Sequence, residues 1–281
     1  MTGNLRGKDM ITTQEWSKGE LTRVLDLADR LKSEFAAERW DHFDALTGRS
    51  LFQLFYNTST RTRSSFEAGI NQLGGYAHIM TPDQLQLEHG ESARETATVL
   101  SRYGHGLAVR VLGSAVDFEY PKGTEILRDY QSGADVPVYN MQCDTYHPCQ
   151  TLADLQTVRE SVGPLEEVTA AWVGDGNNVA RSFAVGCAMT GVDLRVATPE
   201  GYELGEDIVE RAEAFDNAPT VVADPREAVD GADVVYTDVW VSMGQEDERE
   251  AKLSAFDGYQ VDEALLAGTD ASFMHCLPAH R

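Results

Sequence analysis

The sequence is poor in basic residues, and this shortage excludes whole classes of partner. Lysine and arginine together number 23 against 46 aspartates and glutamates, so the formal net charge is −23 at pH 7. A nucleic-acid-binding face needs basic side chains to neutralise phosphates, and an anionic membrane surface likewise attracts basic segments. The composition therefore argues against both partners.

Long apolar segments and paired cysteines are also missing. No apolar run approaches the roughly 20 residues that a membrane-spanning helix requires. The first ten residues mix polar and charged side chains, unlike a secretory signal. The four cysteines of the 281-residue chain form no CxxC pair. These features predict a cytoplasmic protein with reduced thiols.

Lysine is scarce even among the basic residues, with five of the 23. Excess carboxylates repel one another in dilute buffer, and molar salt screens that repulsion because the Debye length falls to about 3 Å. An acid-rich, lysine-poor chain therefore predicts a protein adapted to a salt-rich cytoplasm. The alternative is an acidic protein without such adaptation.

Hydrophobic residues make up 42% of the chain, enough for a substantial core. Segments with strand and helix patterns alternate almost throughout, down to a predicted last helix at Val261 to Leu266. This alternation predicts α/β architecture with two doubly wound parallel-sheet domains. We place the domains at residues 1–145 and 146–281, linked by a helix from about Thr151.

Ligands of α/β proteins bind where strands end and helices begin. After the predicted strand Ser50 to Tyr56 comes a run of hydroxyl and guanidinium groups: Ser59, Thr60, Arg61, Thr62 and Arg63. A helix N-terminus with these side chains favours an anion such as phosphate. The chain contains no GxxxxGK[ST] motif, so this junction is not a nucleotide P-loop.

Two further junctions carry polar side chains. His147 and Gln150 follow a predicted strand and can hydrogen-bond a small ligand, although a histidine before proline is often a turn residue. The segment Gly174 to Val179 reads G-x-G-x-x-V, an incomplete dinucleotide fingerprint. An NAD-dependent oxidoreductase is therefore an alternative function, whereas the paired amides Asn177 and Asn178 suit a zwitterionic ligand.

The last junctions are Asp238 to Gly244 and Met274 to Pro278. Asp238 can accept from an ammonium group, although aspartate at a strand end is often a helix cap. Strand alternation should place His275 and Cys276 on opposite faces, which argues against a cysteine–histidine nucleophilic pair. No metal site stands out, because the histidines are scattered and HExxH is missing.

Taken together, these junctions resemble the carbamoyltransferase family over nearly the whole chain. Ser59 to Arg63 resembles its carbamoyl-phosphate motif, and His147 to Gln150 its HPxQ motif. Asp238 to Gly244 resembles the DxxxSMG motif, and His275 to Pro278 the HCLP motif; these two are typical of the ornithine branch. The resemblance implies transfer of the carbamoyl group of carbamoyl phosphate to the side-chain amine of L-ornithine, giving citrulline and phosphate in arginine metabolism, without metal or organic cofactor.

The resemblance also implies an active site in the cleft between the two domains, and it implies roles for individual residues. Carbamoyl phosphate would bind Ser59, Thr60, Arg61, Thr62, Gln86, Arg110, His147 and Gln150, with Gln86 reaching the phosphate of a neighbouring subunit. Ornithine would bind Asn178, Asp238, Ser242 and Met243, with Cys276 and Leu277 shared between the substrates. The catalytic residues would be Arg110, His147, Asp238 and Cys276, and either Asp238 or Cys276 could deprotonate ornithine.

The family resemblance carries three further expectations. It implies a homotrimer or a multiple of trimers, and a cis bond between Leu277 and Pro278. The family continues past the HCLP motif into a last helix that carries another phosphate-binding arginine, so we expect the native chain to continue past Arg281. A non-enzymatic relative that binds carbamoyl phosphate without turnover is the remaining alternative.

Overall fold

The chain divides into two units, each built on its own parallel sheet. The structure, a computed structural model, describes residues 5–39, 41–241 and 249–279. Unit 1 comprises Met1–Glu15 and Arg23–Cys149, and unit 2 comprises Trp16–Thr22 and Gln150–Arg281. The chain passes from one unit to the other three times, once just before the first helix and twice within the first turns of a helix.

Unit 1 contains a four-stranded parallel sheet with the strand order β2-β1-β3-β4. Its strands are β1 (Ser50–Phe55), β2 (Tyr76–Met80), β3 (Gly106–Val111) and β4 (Val138–Cys143). Its helices are α2 (Arg61–Gln72), α3 (Ala93–Leu100) and α4 (Lys122–Gly133), while α1 (Lys18–Ala36) begins in unit 2 and α5 (Pro148–Ser161) begins in unit 1. Every residue of β3 is buried, as expected for a central strand covered on both faces.

Unit 2 contains a five-stranded parallel sheet with the order β7-β6-β5-β8-β9. Its strands are β5 (Thr169–Val173), β6 (Asp193–Ala197), β7 (Thr220–Val222), β8 (Val234–Thr237) and β9 (Ser272–His275). Its helices are α6 (Asn178–Thr190), α7 (Glu206–Glu213), α8 (Pro225–Val229) and α9 (Arg249–Ala255). The largest buried side chains include Trp172, Phe183 and Tyr236, whose rings pack together. The prediction of two doubly wound parallel sheets is confirmed.

Each sheet reverses its strand order once, and these reversals mark where ligands bind. In unit 1 the chain moves outward from β1 to β2 and then returns to the other side of β1 as β3. In unit 2 it moves from β5 through β6 to β7 and returns beside β5 as β8. The loops that follow β1, β3, β5 and β8 therefore face the crevices in which α/β proteins hold their ligands.

The predicted helix at Val261 to Leu266 is wrong. The segment forms turns, in which the backbone N–H of Leu265 donates to Asp262 Oδ1 at 2.9 Å. A side-chain acceptor of this kind competes with helical hydrogen bonds, and six residues are too few to form a stable helix by themselves. The apolar spacing instead packs Val261 and Leu265 against the core of unit 2.

Two helices of unit 2, α8 and α9, lie outside the predicted set. Both are short, and the sequence REAKLSA of α9 shows no apolar stripe. None of the helices in the part of the chain that the structure describes is long and apolar enough to cross a membrane.

Candidate active site

The junction between β1 and α2 presents the predicted anion-binding groups at the surface of unit 1. Helix α2 begins at Arg61, and the backbone N–H of Thr62 donates to Ser59 Oγ at 3.2 Å. Thr60 and Arg61 are exposed, while Ser59 and Thr62 are half-buried. Backbone N–H groups, hydroxyls and a guanidinium thus meet at one helix N-terminus, where the helix dipole also favours negative charge.

Arg110 lies on the neighbouring strand, where it pairs in register with Phe55 at the end of β1. It is buried, and its Nη1 donates to Gln142 Oε1 at the end of β4 and, at 3.4 Å, to Thr62 Oγ1. Burial and the nearby Arg61 charge lower the pKa of Arg110 to about 10, so it remains a cation at neutral pH. Two closely spaced cations in one corner of unit 1 attract an anion.

His147 is buried beside this cationic corner. Burial and the charge of Arg110 lower the pKa of His147 to about 3, so the imidazole is neutral at any working pH. The turn before it is held by Asp144, whose carboxylate accepts from the backbone N–H groups of Gly123 at 2.8 Å and Thr124 at 3.1 Å. A neutral imidazole can donate a hydrogen bond to a carbonyl oxygen without adding charge.

Gln86 differs from Arg110 and His147 in being exposed to solvent. It is exposed at the start of a short turn, where its backbone carbonyl accepts from the N–H groups of His89 at 2.9 Å and Glu91 at 3.1 Å. The turn is followed by a Ser92–Glu95 capping box at the start of α3. Gln86 is thus presented outward on an ordered segment of unit 1.

In unit 2, Asp238 follows β8 at the switch point and is held from three sides. Its Oδ2 accepts from Asn177 Nδ2 at 2.9 Å, and its Oδ1 accepts from the backbone N–H of Val239 at 2.8 Å and from the thiol of Cys276 at 3.0 Å. A carboxylate has about four lone-pair sites. Counting the described residues, one site of Oδ2 is left to face a donor such as an amine.

Cys276 follows the last strand, β9. Burial and the charge of Asp238 raise the pKa of its thiol well above the ordinary range, so the thiol stays protonated and donates. The bond between Leu277 and Pro278 is cis, as expected, and Leu277 has a φ of 61° with its side chain exposed.

The alternation argument that separates His275 from Cys276 is wrong, because β9 ends at His275. The imidazole, the Cys276 thiol and the Asp238 carboxylate each have a potential ligand atom within 4.8 Å of the others. Carboxylate, imidazole and thiol together are donors that could hold a metal such as zinc. The His275 Nδ1 atom, however, accepts from the backbone N–H of Leu277 at 2.8 Å.

The loop between β5 and α6 places Asn178 at the first position of α6. Asn177 caps that helix by accepting from the backbone N–H groups of Val179 at 2.9 Å and Ala180 at 3.1 Å. A Cβ on Gly176 would lie 2.4 Å from the backbone carbonyl of Glu203. Close backbone packing inside unit 2 therefore requires this glycine, and that packing accounts for the incomplete fingerprint without a dinucleotide.

Among the predicted ornithine-binding residues, Ser242 and Met243 lie outside the described residues. The segment that follows them, α9, is tied down by Lys252, whose buried ammonium donates to Asp175 Oδ2 at 2.8 Å. Lys252 also lies over the ring of Tyr202, 5.4 Å from its centre. Gln150, in the first turn of α5, donates from Nε2 to Asp154 Oδ1 at 2.9 Å.

Among the described residues, some side chains outside the predicted set hydrogen-bond the side chains of predicted site residues. They include Gln142, which accepts from Arg110; Asn177, which donates to Asp238; and Asp154, which accepts from Gln150. Gln142 and Asn177 had a usable signal in the sequence, because each is a polar residue at the carboxyl end of a strand or the start of a helix. The signal for Asp154 was weaker: its carboxylate lies one helical turn after Gln150 and next to Leu155, which is buried.

The two units match the two parts of one known family. Residues 8–160 match the family described as aspartate/ornithine carbamoyltransferase, carbamoyl-P binding domain, and residues 166–281 match the Asp/Orn binding domain of the same name. An ornithine carbamoyltransferase of Haloquadratum walsbyi is 45% identical over 98% of this chain and 87% of its own length. An ornithine carbamoyltransferase of Bacillus subtilis is 42% identical over 99% of this chain and 84% of its own length. The structure of a Pyrococcus furiosus ornithine carbamoyltransferase superposes with a TM-score of 0.90 at 38% identity, over 99% of this chain and 87% of that one.

Proposed function

This chain belongs to the aspartate/ornithine carbamoyltransferase family, and we propose that it is the ornithine enzyme, which transfers the carbamoyl group of carbamoyl phosphate to the side-chain amine of L-ornithine. The products are L-citrulline and phosphate. The Asp238–Cys276 contact at the end of β8 and β9 carries this choice, because it builds an acceptor for an amine inside the family's amino-acid-binding domain.

Carbamoyl phosphate binds at the cationic corner of unit 1. Ser59, Thr60, Thr62 and Arg61 hold the phosphate oxygens, and Arg110 spans the phosphate and the carbamoyl oxygen. His147 donates to the carbamoyl oxygen from a neutral imidazole, and Gln150 binds the carbamoyl amine. As the tetrahedral intermediate forms, negative charge grows on that oxygen and on the departing phosphate, where these donors stabilise it.

Ornithine binds through Asn178, Asp238, Ser242 and Met243, beside Cys276 and the carbonyl of Leu277. The side-chain amine has a free pKa near 10 and must lose a proton before it attacks. The protonated thiol of Cys276 cannot accept that proton, while Asp238 has a lone pair of Oδ2 available. Asp238 is therefore the acceptor, and Cys276 orients its carboxylate.

A steady-state assay tests this function directly. Purified protein with carbamoyl phosphate and ornithine should form citrulline and phosphate in equal amounts, and putrescine, aspartate and acetylornithine should react at least about 100-fold more slowly. Citrulline formation lost in Asp238→Asn, with carbamoyl-phosphate binding retained, would support the role of Asp238 toward ornithine. Binding of carbamoyl phosphate without turnover in the wild type would instead favour the non-enzymatic alternative.

We also propose that the enzyme works as a trimer in a salt-rich cytoplasm. Support for the salt adaptation comes from the net charge of −23 and the five lysines. The edge strand β2 supports the assembly, since Tyr76 on it is 61% exposed and Phe43 nearby is 59% exposed. Gln86 would reach the neighbouring subunit's phosphate from its exposed turn. Light scattering should give about three times 30.9 kDa, and a monomer mass would contradict the assembly.

A further inference from the structure

Asp154 is a buried carboxyl in the interior of unit 2 that takes no direct part in the proposed reaction. It lies on α5 and is 4% exposed. Its Oδ1 accepts from Gln150 Nε2 at 2.9 Å, and its Oδ2 accepts from the hydroxyl of Tyr236 at 2.9 Å. Each oxygen is thus engaged by a donor from a different element of unit 2.

Burying a carboxyl against two neutral donors is unfavourable compared with burying a leucine of similar size. Burial is the main cause that raises the pKa of Asp154 to about 7, and the charge of Asp238 adds to it. Its two hydrogen bonds offset this cost only in part, because a charged donor would stabilise the ionised form more strongly. Packing alone therefore does not account for a carboxyl at this position.

The two donors of Asp154 belong to the two parts of the proposed site: Gln150 to the carbamoyl-phosphate part, and Tyr236 to the strand that precedes the ornithine-binding Asp238. Gln150 is one helical turn earlier on the same face of α5. Tyr236 lies on β8 two residues before Asp238, and the charges of Asp154 and Asp238 both act on its hydroxyl. Asp154 therefore hydrogen-bonds the residue assigned to the carbamoyl amine and, through Tyr236, the strand that leads to the Asp238 assigned to ornithine.

At a pH above its pKa of about 7, Asp154 is an ionised carboxylate, which can only accept hydrogen bonds. Gln150 must therefore turn its NH₂ group toward Asp154, which leaves its Oε1 atom, an acceptor, for the ligand. The carbamoyl group ends in an NH₂, which is a donor. Acceptor and donor are thus matched only while Asp154 holds the amide in this orientation.

We propose that Asp154 is a positioning residue that orients the Gln150 amide and thereby makes the site select a carbamoyl over an acyl group. The proposal rests on the proposed carbamoyl-transfer function. It identifies acetyl phosphate as the informative probe, because that molecule keeps the phosphate and the carbonyl but replaces the NH₂ with a methyl group. A correctly oriented Gln150 should discriminate between the two ligands.

The test compares binding of carbamoyl phosphate and acetyl phosphate to wild type and to Asp154→Asn by isothermal titration at about pH 8.5, where the Asp154 carboxyl is ionised. In Asp154→Asn an NH₂ can face Gln150, so the Gln150 amide is free to reverse. We expect the dissociation constant for carbamoyl phosphate to rise at least tenfold, while that for acetyl phosphate changes less than threefold. A merely structural role would weaken both ligands together.

Matched variants establish whether the effect is specific to the Asp154–Gln150 contact. Asp193→Asn removes an exposed carboxylate from the same unit and should leave both constants unchanged. Tyr236→Phe removes the second donor and should preserve discrimination. Gln150→Met should lose discrimination, and adding Asp154→Asn to it should cost little more, because Asp154 acts through Gln150.

Equal weakening of both ligands, or no change in either, would overturn the proposal. If Asp154→Asn does not fold, Asp154→Glu keeps an acceptor-only group, and its failure to prefer carbamoyl phosphate over acetyl phosphate would likewise overturn it. Binding is measured without turnover, so a wild type that binds carbamoyl phosphate but makes no citrulline would refute the proposed function and leave the role of Asp154 testable.

Discussion

The orientation and protonation state of individual side chains in this protein depend strongly on their neighbours. Arg110 is held by Gln142, a residue of ordinary appearance in the sequence. His147 is kept neutral by burial beside Arg110, and Cys276 is kept protonated by burial beside Asp238. Each assigned role therefore depends on a contact that can be removed individually.

The Gln142 contact is predicted to orient Arg110 toward carbamoyl phosphate. Gln142→Leu should raise the KM for carbamoyl phosphate about tenfold, since a hydrogen bond to a charged group contributes about 1.5–3 kcal/mol. The KM for ornithine should change less than twofold. Gln131→Leu removes another glutamine that accepts from an arginine, Arg128, outside the site. Equal kinetic effects of the two substitutions would contradict an orienting role.

The depressed pKa of His147 predicts a loss of stability in acid. The folded protein binds this proton only near pH 3, whereas the unfolded chain binds it near pH 6.5. Stability from this group is complete above pH 6.5 and falls as the pH drops toward 3, by up to about 1.4 kcal/mol per pH unit.

Urea unfolding of wild type and His147→Gln at pH 6.5 and 5.0 measures this contribution. The wild type should lose about 1.5 kcal/mol more than the variant over that interval. Parallel losses in the two proteins would show that His147 titrates normally in the folded state.

At the scale of elements, loops at the switch points are fixed by contacts from helices elsewhere in the same unit. Helix α9 is joined to the loop after β5 by the Lys252–Asp175 ion pair, in which both side chains are buried or nearly so. Around it pack the rings of Tyr202, Trp240 and Phe256. This arrangement supports two stretches of the predicted ornithine site at once.

Lys252→Met should therefore weaken both folding and ornithine use. Leaving Asp175 buried without its cation costs about 3 kcal/mol of unfolding free energy, the amount typical for breaking a buried pair. The KM for ornithine should rise severalfold, with carbamoyl-phosphate binding unchanged. Lys122→Met breaks the exposed Lys122–Glu119 pair and should change neither quantity appreciably. A similar response to both substitutions would exclude a special role for Lys252.

For the whole molecule, the net charge of −23 predicts a strong response to salt. Raising KCl from 0.1 to 1 M shortens the Debye length from about 10 to about 3 Å, so most of the gain in melting temperature should fall in this range. We expect a rise of about 5 °C, equivalent to ~2 kcal/mol. A rise that continues linearly to 3 M would indicate exclusion of salt from the surface instead, and no rise would contradict salt adaptation.

How far the sequence predicts the structure differs between elements. Strands such as β3 and β5 were predictable because buried parallel strands are short, continuous apolar runs. The helix predicted at Val261 to Leu266 was not found, since apolar spacing reports burial and does not distinguish a short helix from packed turns. Helix α9 could not be predicted, because a tertiary ion pair and an aromatic cluster stabilise it rather than an apolar stripe of its own.

The sequence by itself determined the α/β class, the two sheets and the strand ends that carry polar residues, because these follow from local periodicity. Only the tertiary structure decided which groups meet. It brought Gln142 to Arg110, Asn177 and Cys276 to Asp238, and Asp154 to Gln150 and Tyr236. The physical reason is that protonation state and hydrogen-bond direction depend on burial and on neighbours distant in the chain, which no local pattern records.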